Sequence, residues 1–177
     1  MPPKKQVTAD MILEKAFAIT REQGFESITA RALAKALGFS TQPIYQAFAD
    51  MEALKIAVIR KAVAVMAAFV AEQRDAALPE ELSLLIGYVR FADREKKLFQ
   101  LIFTSGPGAF GQAAAASEPV PLPEDLLIYA NGMIMMSAYK TLRRSPEEQK
   151  AMLIRAYALF RGAESEARPP EQKGNRT

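Results

Sequence analysis

The stretch that decides the fold reads ITARALAKALGFSTQPIYQAF and runs from Ile28 to Phe48. Thr29 is a favourable helix N-cap, because its hydroxyl can accept a hydrogen bond from a free backbone N–H of the first turn. Gly38 is a favourable helix end, because glycine enters the left-handed backbone region without strain. These two signals predict a short helix from Ala30 to Leu37.

A second short helix is predicted directly after the glycine. Ser40 is its predicted N-cap, and the helix is expected to run to about Phe48, with Pro43 in the first turn, where a missing N–H costs little. Apolar residues one turn apart on the two helices predict a small shared core, made by Ile28, Leu33, Leu37, Ile44 and Phe48. Two short helices joined by a tight turn are the arrangement of a helix-turn-helix.

The outward face of the second helix carries hydroxyls, amides and one phenol, unlike the lysine and glutamate mixture of an ordinary solvated helix. Its non-core positions are Ser40, Thr41, Gln42, Tyr45 and Gln46. Amides and hydroxyls can read base edges in the major groove of DNA, and Thr41 and Pro43 can contact a thymine methyl group. A structural helical hairpin with a polar surface is the alternative interpretation.

Composition narrows the possible classes of function. The chain has 177 residues, of which 50% are hydrophobic, so it is expected to fold as one or two domains. Cysteine and histidine are both absent, which removes thiol chemistry and the most common general base and makes an enzyme less favoured. The net charge of +3 permits nucleic-acid binding without demonstrating it. No secretory signal or membrane-spanning run is apparent, so we expect a cytoplasmic protein, and we expect no metal and no cofactor.

The remaining segments also read as helices, because glycine and proline cluster at a few boundaries and β-branched alternation is missing. The predicted helices run from Thr8 or Asp10 to about Gln23, from Met51 to about Ala77 with Asp50 as N-cap, from Pro79 to about Ala92, from Asp93 to about Phe103, from Glu124 to about Leu142, and from Pro146 to near Gly162. A capping box of Ser145 and Glu148 marks the start of the last one. Residues 104–123 are predicted to form a long loop, and residues 164–177 a polar tail.

Residues 8–56 resemble the DNA-binding domain of the TetR family of bacterial regulators. The matching features, in order and without gaps, are Ile12-Leu13, Ala16-Phe17, Gly24-Phe25, Ile28-Thr29, Leu33-Ala34, Leu37-Gly38-Phe39-Ser40, Ile44-Tyr45, Phe48 and Glu52-Ala53-Leu54. The resemblance implies an all-α fold, with an N-terminal three-helix helix-turn-helix domain and a C-terminal helical domain for ligand binding and dimerisation. It also implies a homodimer that binds double-stranded operator DNA.

By position, the resemblance assigns DNA contacts to the starts of both helices of the helix-turn-helix, at Thr29, Arg31, Thr41, Gln42, Pro43, Tyr45 and Gln46. The chemistry of the polar face adds Ser40. The family often has lysine at the start of the next helix, where this chain has Met51. Either Lys55, one turn later, takes over this contact, or the contact is missing.

The stretch from Tyr88 to Phe103 and the five residues from Tyr129 to Met133 resemble segments of one branch of TetR effector domains, and this weaker resemblance covers residues 80–162. Large apolar side chains and two polar ones are predicted to line a pocket for an apolar ligand, and they are Met66, Phe69, Tyr88, Phe91, Phe99, Phe103, Asn131, Met133 and Met136. Simple core packing is the alternative for each of them. The last two long helices are predicted to form the dimer surface, with Ile128, Met135, Ala138, Leu153, Tyr157 and Phe160 as candidates.

These observations together predict a DNA-binding domain over residues 1–50, a ligand-binding and dimerisation domain over 51–165, and a flexible tail over 166–177. The favoured function is a TetR-like repressor that binds a palindromic operator as a dimer and is released by an apolar small molecule. Two other hypotheses stay open: a helical protein that binds hydrophobic ligands without binding an operator, and a helical enzyme that uses carboxylates.

Overall fold

The computed structural model describes residues 7–105, 122–141 and 143–167, with side chains to residue 162. The described residues form eight α-helices and no strand, which confirms the all-α prediction. The helices are α1 (Ala9–Gln23), α2 (Ala30–Leu37), α3 (Gln42–Ala47), α4 (Met51–Glu72), α5 (Glu80–Arg94), α6 (Lys96–Thr104), α7 (Glu124–Ala138) and α8 (Pro146–Ala167), with a short 3-10 turn at Phe25–Ser27 after α1. None of the described helices is both long enough and apolar enough to span a membrane. The predicted loop of residues 104–123 falls mostly outside the described residues.

Helices α1 and α2 begin where their capping residues predict. The Thr8 hydroxyl accepts a hydrogen bond from the Met11 N–H at 3.2 Å, and the Thr29 hydroxyl accepts one from the Ala32 N–H at 3.1 Å. Gly38 ends α2 with φ 75° and ψ 28°, in the left-handed region that the turn requires. The starts of α1 and α2 and the end of α2 are therefore set by local signals that lie within three residues of each helix end.

The predicted cap of α3 was wrong. Ser40 lies outside the helix, and Thr41 occupies the N-cap position without a capping hydrogen bond from its side chain. The backbone of Thr41 is already helical, with φ −74° and ψ −17°. An N-cap side chain reaches back to the first turn only from extended backbone, so the hydroxyl of Thr41 stays unused.

Several boundaries in the C-terminal half also differ from prediction. Helix α4 ends at Glu72, not near Ala77, because the next turn is held by tertiary contacts: the Asp75 N–H donates to the Ser83 hydroxyl at 2.8 Å. Helix α7 ends at Ala138, four residues early, and Lys140 follows with φ 58°. The capping box of α8 is confirmed by reciprocal hydrogen bonds of 2.8 and 3.2 Å between Ser145 and Glu148. Helix α8 continues beyond Gly162 to Ala167, so the first residues of the predicted tail are helical.

Helix α5 lies at the centre of the C-terminal half. It packs against α4, α6, α7 and α8, and its residues from Leu82 to Gly87 are all buried. Gly87 allows a close approach to α4, since a Cβ at this position would lie 3.2 Å from Val70 Cγ1 and 3.3 Å from Val70 Cα. The N-terminal helices join this core through α1, which packs against both α4 and α6.

Candidate DNA-binding and ligand-binding sites

The helix-turn-helix buries its apolar residues and exposes its polar ones. Ile28, Leu33 and Ile44 are buried, while Leu37 and Phe48 pack against them in partly buried positions. The predicted small core between the two helices is therefore present. The opposite surface of α3 is left to the polar side chains.

The polar face of α3 makes no side-chain hydrogen bond to any described residue. Ser40, Gln42, Tyr45 and Gln46 are exposed, Thr41 and Pro43 are partly exposed, and the Tyr45 side chain is 53% accessible. Among the described residues, none of these side chains has a hydrogen-bond partner. Their donors and acceptors are therefore available to base edges or phosphates, and a structural role in packing does not require them.

The three remaining DNA candidates have different surroundings. Thr29 uses one oxygen lone pair to cap α2, which leaves its O–H free to donate. Arg31 is exposed in the first turn of α2. The Lys55 ammonium lies 5.7 Å from the centre of the Phe25 ring, so this lysine packs over the turn after α1. A DNA contact by Lys55 stays a prediction.

A cavity of about 450 Å³ lies between α5, α6 and α7. Its lining residues are Ala92, Asp93, Lys96, Lys97, Phe99, Gln100, Phe103, Thr104, Ile134, Met135, Ala138 and Tyr139. Of the predicted ligand residues, Phe99 and Phe103 are part of this lining. The volume falls within the range of small-molecule sites in proteins.

Two of the other predicted ligand residues lie directly behind the cavity wall. The Phe99 ring stacks on Phe103 at 6.0 Å and meets the edge of Tyr88 at 5.4 Å. The Tyr88 hydroxyl donates to Asn131 Oδ1 at 2.8 Å, and burial raises the pKa of Tyr88 to about 12. The polar groups of Tyr88 and Asn131 thus bind each other, and the Tyr88 ring supports the Phe99 ring, which faces the cavity.

The other five predicted ligand residues do not line this cavity. Phe91 and Met133 are core residues, and Phe69 packs on Phe91 with ring centres 5.8 Å apart. Met66 is partly buried on α4, and Met136 is 49% exposed on α7. Residue type and helical periodicity do not say which apolar face borders a cavity and which face fills the core.

Sequence reasoning missed Lys96, Lys97 and the end of α7 as parts of the cavity. A signal was available on α6, because Lys96, Phe99 and Phe103 recur at helical spacing and therefore share one face. The α7 residues Met135 and Ala138 were assigned to the dimer surface, and they also border the cavity. The cavity therefore opens beside the predicted dimer surface.

An ion pair ties α1 to the junction of α5 and α6. The Arg21 guanidinium donates two hydrogen bonds to Glu95, one of them from Nε to Oε2 at 2.7 Å. The hydrogen bond to Glu95 raises the pKa of Arg21 above its ordinary value. Glu95 is 8% exposed and separates the two helices, whereas the predicted break lay at Asp93. The link thus connects the N-terminal domain to the residues that flank the cavity.

The last two helices expose an apolar surface. Ile128, Leu159 and Tyr139 are 65%, 71% and 74% accessible. The predicted interface residues Met135 and Ala138 are exposed as well, whereas Leu153 is buried inside the chain. Tyr157 and Phe160 make internal contacts, to the Glu81 carboxylate and the Tyr129 ring respectively. The prediction of Leu153 as an interface residue was therefore wrong, because α8 turns that side toward α5 and α7.

The fold and the free face of α3 define the N-terminal part as a helix-turn-helix DNA-binding domain. Residues 12–58 match the model of the bacterial regulatory proteins of the tetR family. This match covers the helix-turn-helix and the start of α4, and it supports a TetR-like transcriptional regulator. A search of curated proteins found no match for the chain. Within the described part of the chain, no group of three or more acidic residues could hold a metal ion.

Proposed function

We propose that the protein is a transcriptional repressor that binds a near-palindromic operator as a homodimer and leaves it when an apolar small molecule binds. The observation that carries the DNA-binding part is the face of α3, whose exposed amides, hydroxyls and phenol have no partner within the described residues. Gln42 is the sharpest single candidate, because a glutamine amide can pair with both polar edge atoms of adenine. Thr29 and Arg31, at the start of α2, are proposed to contact the sugar-phosphate backbone of the DNA.

Selection of bound sequences from a random DNA library tests this part. The selected operator should contain two half-sites, with centres about one helical turn of DNA apart or somewhat more, because each protomer presents one α3. Gln42→Ala should weaken binding to that operator by about 1–3 kcal/mol and leave binding to random DNA almost unchanged. Gln23→Ala, which removes an exposed glutamine outside α3, is the matched control.

If Gln42→Ala weakened binding to operator and to random DNA equally, this glutamine would contact the DNA backbone and not a base. Failure to select any sequence would favour the second hypothesis, a helical protein that binds hydrophobic ligands without an operator. The cavity between α5, α6 and α7 gives that alternative its specific support.

The homodimer is proposed to form through α7 and α8. The support is their exposed apolar surface, which includes Ile128, Met135 and Leu159 and has no cover within the described part of the chain. Two helices from each protomer would form a four-helix interface around a two-fold axis, as such surfaces commonly do.

Regulation by a ligand is proposed to act from the cavity through the Arg21–Glu95 pair. Asp93, Lys96 and Lys97 border the cavity on either side of Glu95, and Glu95 holds α1 of the DNA-binding domain. A ligand that shifts the α5–α6 junction would therefore shift α1 and the position of α3. A coupling free energy of about 1–3 kcal/mol between the two sites is enough for regulation.

The proposed domain division follows from the same elements. Residues 1–50 form the DNA-binding domain and residues 51–165 the ligand-binding and dimerisation domain, with α4 starting at the boundary. The proposed tail is residues 166–177, of which the first two continue α8. A cytoplasmic location is proposed because a regulator must reach DNA, and no cofactor or catalytic role is part of this proposal.

A further inference from the structure

The cavity between α5, α6 and α7 has all of its charged side chains at one end, and the rest of its lining is mostly apolar, with Gln100 and Thr104 as uncharged polar residues further along α6. Lys96 and Lys97 lie in the first turn of α6, and Phe103 lies seven residues further along. Seven residues of helix span about 10 Å, so the charged end and the far apolar wall are separated by that distance. Phe99, Ile134 and Met135 provide apolar surface between them. Such a shape matches an elongated molecule with one polar end.

The charge at the polar end is positive. Within the described part of the chain, neither Lys96 nor Lys97 has a carboxylate within 4 Å. Asp93 also borders the cavity, and its carboxylate accepts a hydrogen bond from the Ser137 hydroxyl at 3.4 Å. Glu95 lies between Asp93 and Lys96 in the sequence, but both of its carboxylate oxygens accept hydrogen bonds from Arg21. This end of the cavity therefore has a net positive charge, because the two lysines outnumber the single carboxylate of Asp93.

We infer that the cavity takes an amphiphile whose single anionic head group binds Lys96 and Lys97 and whose hydrocarbon chain lies along Phe99 and Phe103. The inference rests on the proposed function, in which this cavity is the effector site, and it changes the effector from a wholly apolar molecule to one with a single anionic end. Lysine ammonium groups bind carboxylates and phosphates through charge-assisted hydrogen bonds. The thioether of Met135 adapts to flexible chains better than a branched side chain does.

The head group of such a ligand also lies at the contact between the two domains. The Lys97 side chain extends toward the end of α1, where its Cδ lies 3.7 Å from the position that a Cβ on Gly24 would occupy. An anion that binds Lys97 therefore acts on the side chain that borders the DNA-binding domain, next to Glu95. An uncharged ligand in the same cavity lacks this contact.

Three probes that differ only in the head group test the inference: decanoate, decanol and decyltrimethylammonium, titrated calorimetrically into the full-length protein below their micelle concentrations. Decanoate should bind about tenfold more tightly than decanol, and decyltrimethylammonium more weakly than either. The double variant Lys96→Gln/Lys97→Gln should lose about five- to tenfold in decanoate affinity and keep its decanol affinity. Arg60→Gln removes an exposed positive charge on α4 outside the cavity and should change neither.

Each other outcome overturns the inference in a distinguishable way. Equal affinities for decanoate and decanol, with binding retained in the double variant, would leave the effector cavity in place and refute the anionic class. Tighter binding of decyltrimethylammonium would assign the head-group contact to Asp93. If none of the three probes binds, the inference fails together with the proposed effector role, while operator binding by α3 is measured separately and stands or falls on the DNA selection.

Discussion

Replacing Arg21 with glutamine should destabilise the protein more than an ordinary surface substitution does. Glu95 is 8% exposed, and without Arg21 its nearest positive group is Arg94, whose Nε lies 3.9 Å from Glu95 Oε1. A buried carboxylate that loses its partner retains its desolvation penalty without compensation. The Arg21 side chain is 49% exposed, so water replaces part of the lost contact.

The expected cost of Arg21→Gln is about 2 kcal/mol, below the 3–5 kcal/mol found for fully buried pairs. Urea unfolding followed by circular dichroism measures this directly, since the helices give a strong signal and the chain has no tryptophan. A double-mutant cycle with Glu95→Gln should give a coupling free energy above about 1 kcal/mol. A cycle on the more exposed pair of Glu14 and Lys61, which also joins α1 to another helix, should give at most about 0.5 kcal/mol.

The same variants test the proposed route from the cavity to the DNA. In Arg21→Gln/Glu95→Gln, operator affinity and ligand affinity should each change little, while the ligand-induced loss of operator affinity should shrink severalfold. A coupling free energy no larger than that of the control pair would refute the stabilising role of the link. Undiminished release of the operator by the ligand would refute its role in regulation.

Three further predictions follow from single side chains. Leu159→Glu places a charge on the exposed surface of α7 and α8 and should shift the protein from dimer to monomer in sedimentation at micromolar concentration, whereas Ala76→Glu, in the exposed turn before α5, should not. Burial raises the pKa of Tyr88 to about 12 from its ordinary value of 10.0, so stability should be complete below pH 10 and fall by on the order of 2 kcal/mol as pH rises to about 12. Tyr88→Phe should remove that decline in pH-dependent unfolding, and its persistence would refute the assignment. Thr29→Ala removes the cap on the Ala32 N–H and should cost about 1 kcal/mol in the urea midpoint analysis, and no loss would show that α2 is held by packing alone.

The sequence by itself determined the helix-turn-helix, except for the cap predicted at Ser40. The caps at Thr8, Thr29 and Asp50 each bind a backbone N–H three residues ahead, so the residues that define the helix start are neighbours along the chain. Gly38 ends α2 through its own backbone conformation. The polar face of α3 was predictable for the same reason, because a helix turns consecutive residues to fixed directions.

Only the tertiary structure decided where the C-terminal helices end and which side chains border the cavity. The break between α5 and α6 lies at Glu95, not at Asp93, because Glu95 accepts hydrogen bonds from Arg21, which lies 74 positions earlier in the sequence. The cavity takes Lys96 and Phe103 from α6 and Met135 from α7, while Phe91 and Met133, equally apolar, fill the core. Every helix of this half is rich in apolar residues, so periodicity shows that a face is buried without showing what it is buried against. Contacts between distant segments settle that choice, because the space left between helices depends on all of them together.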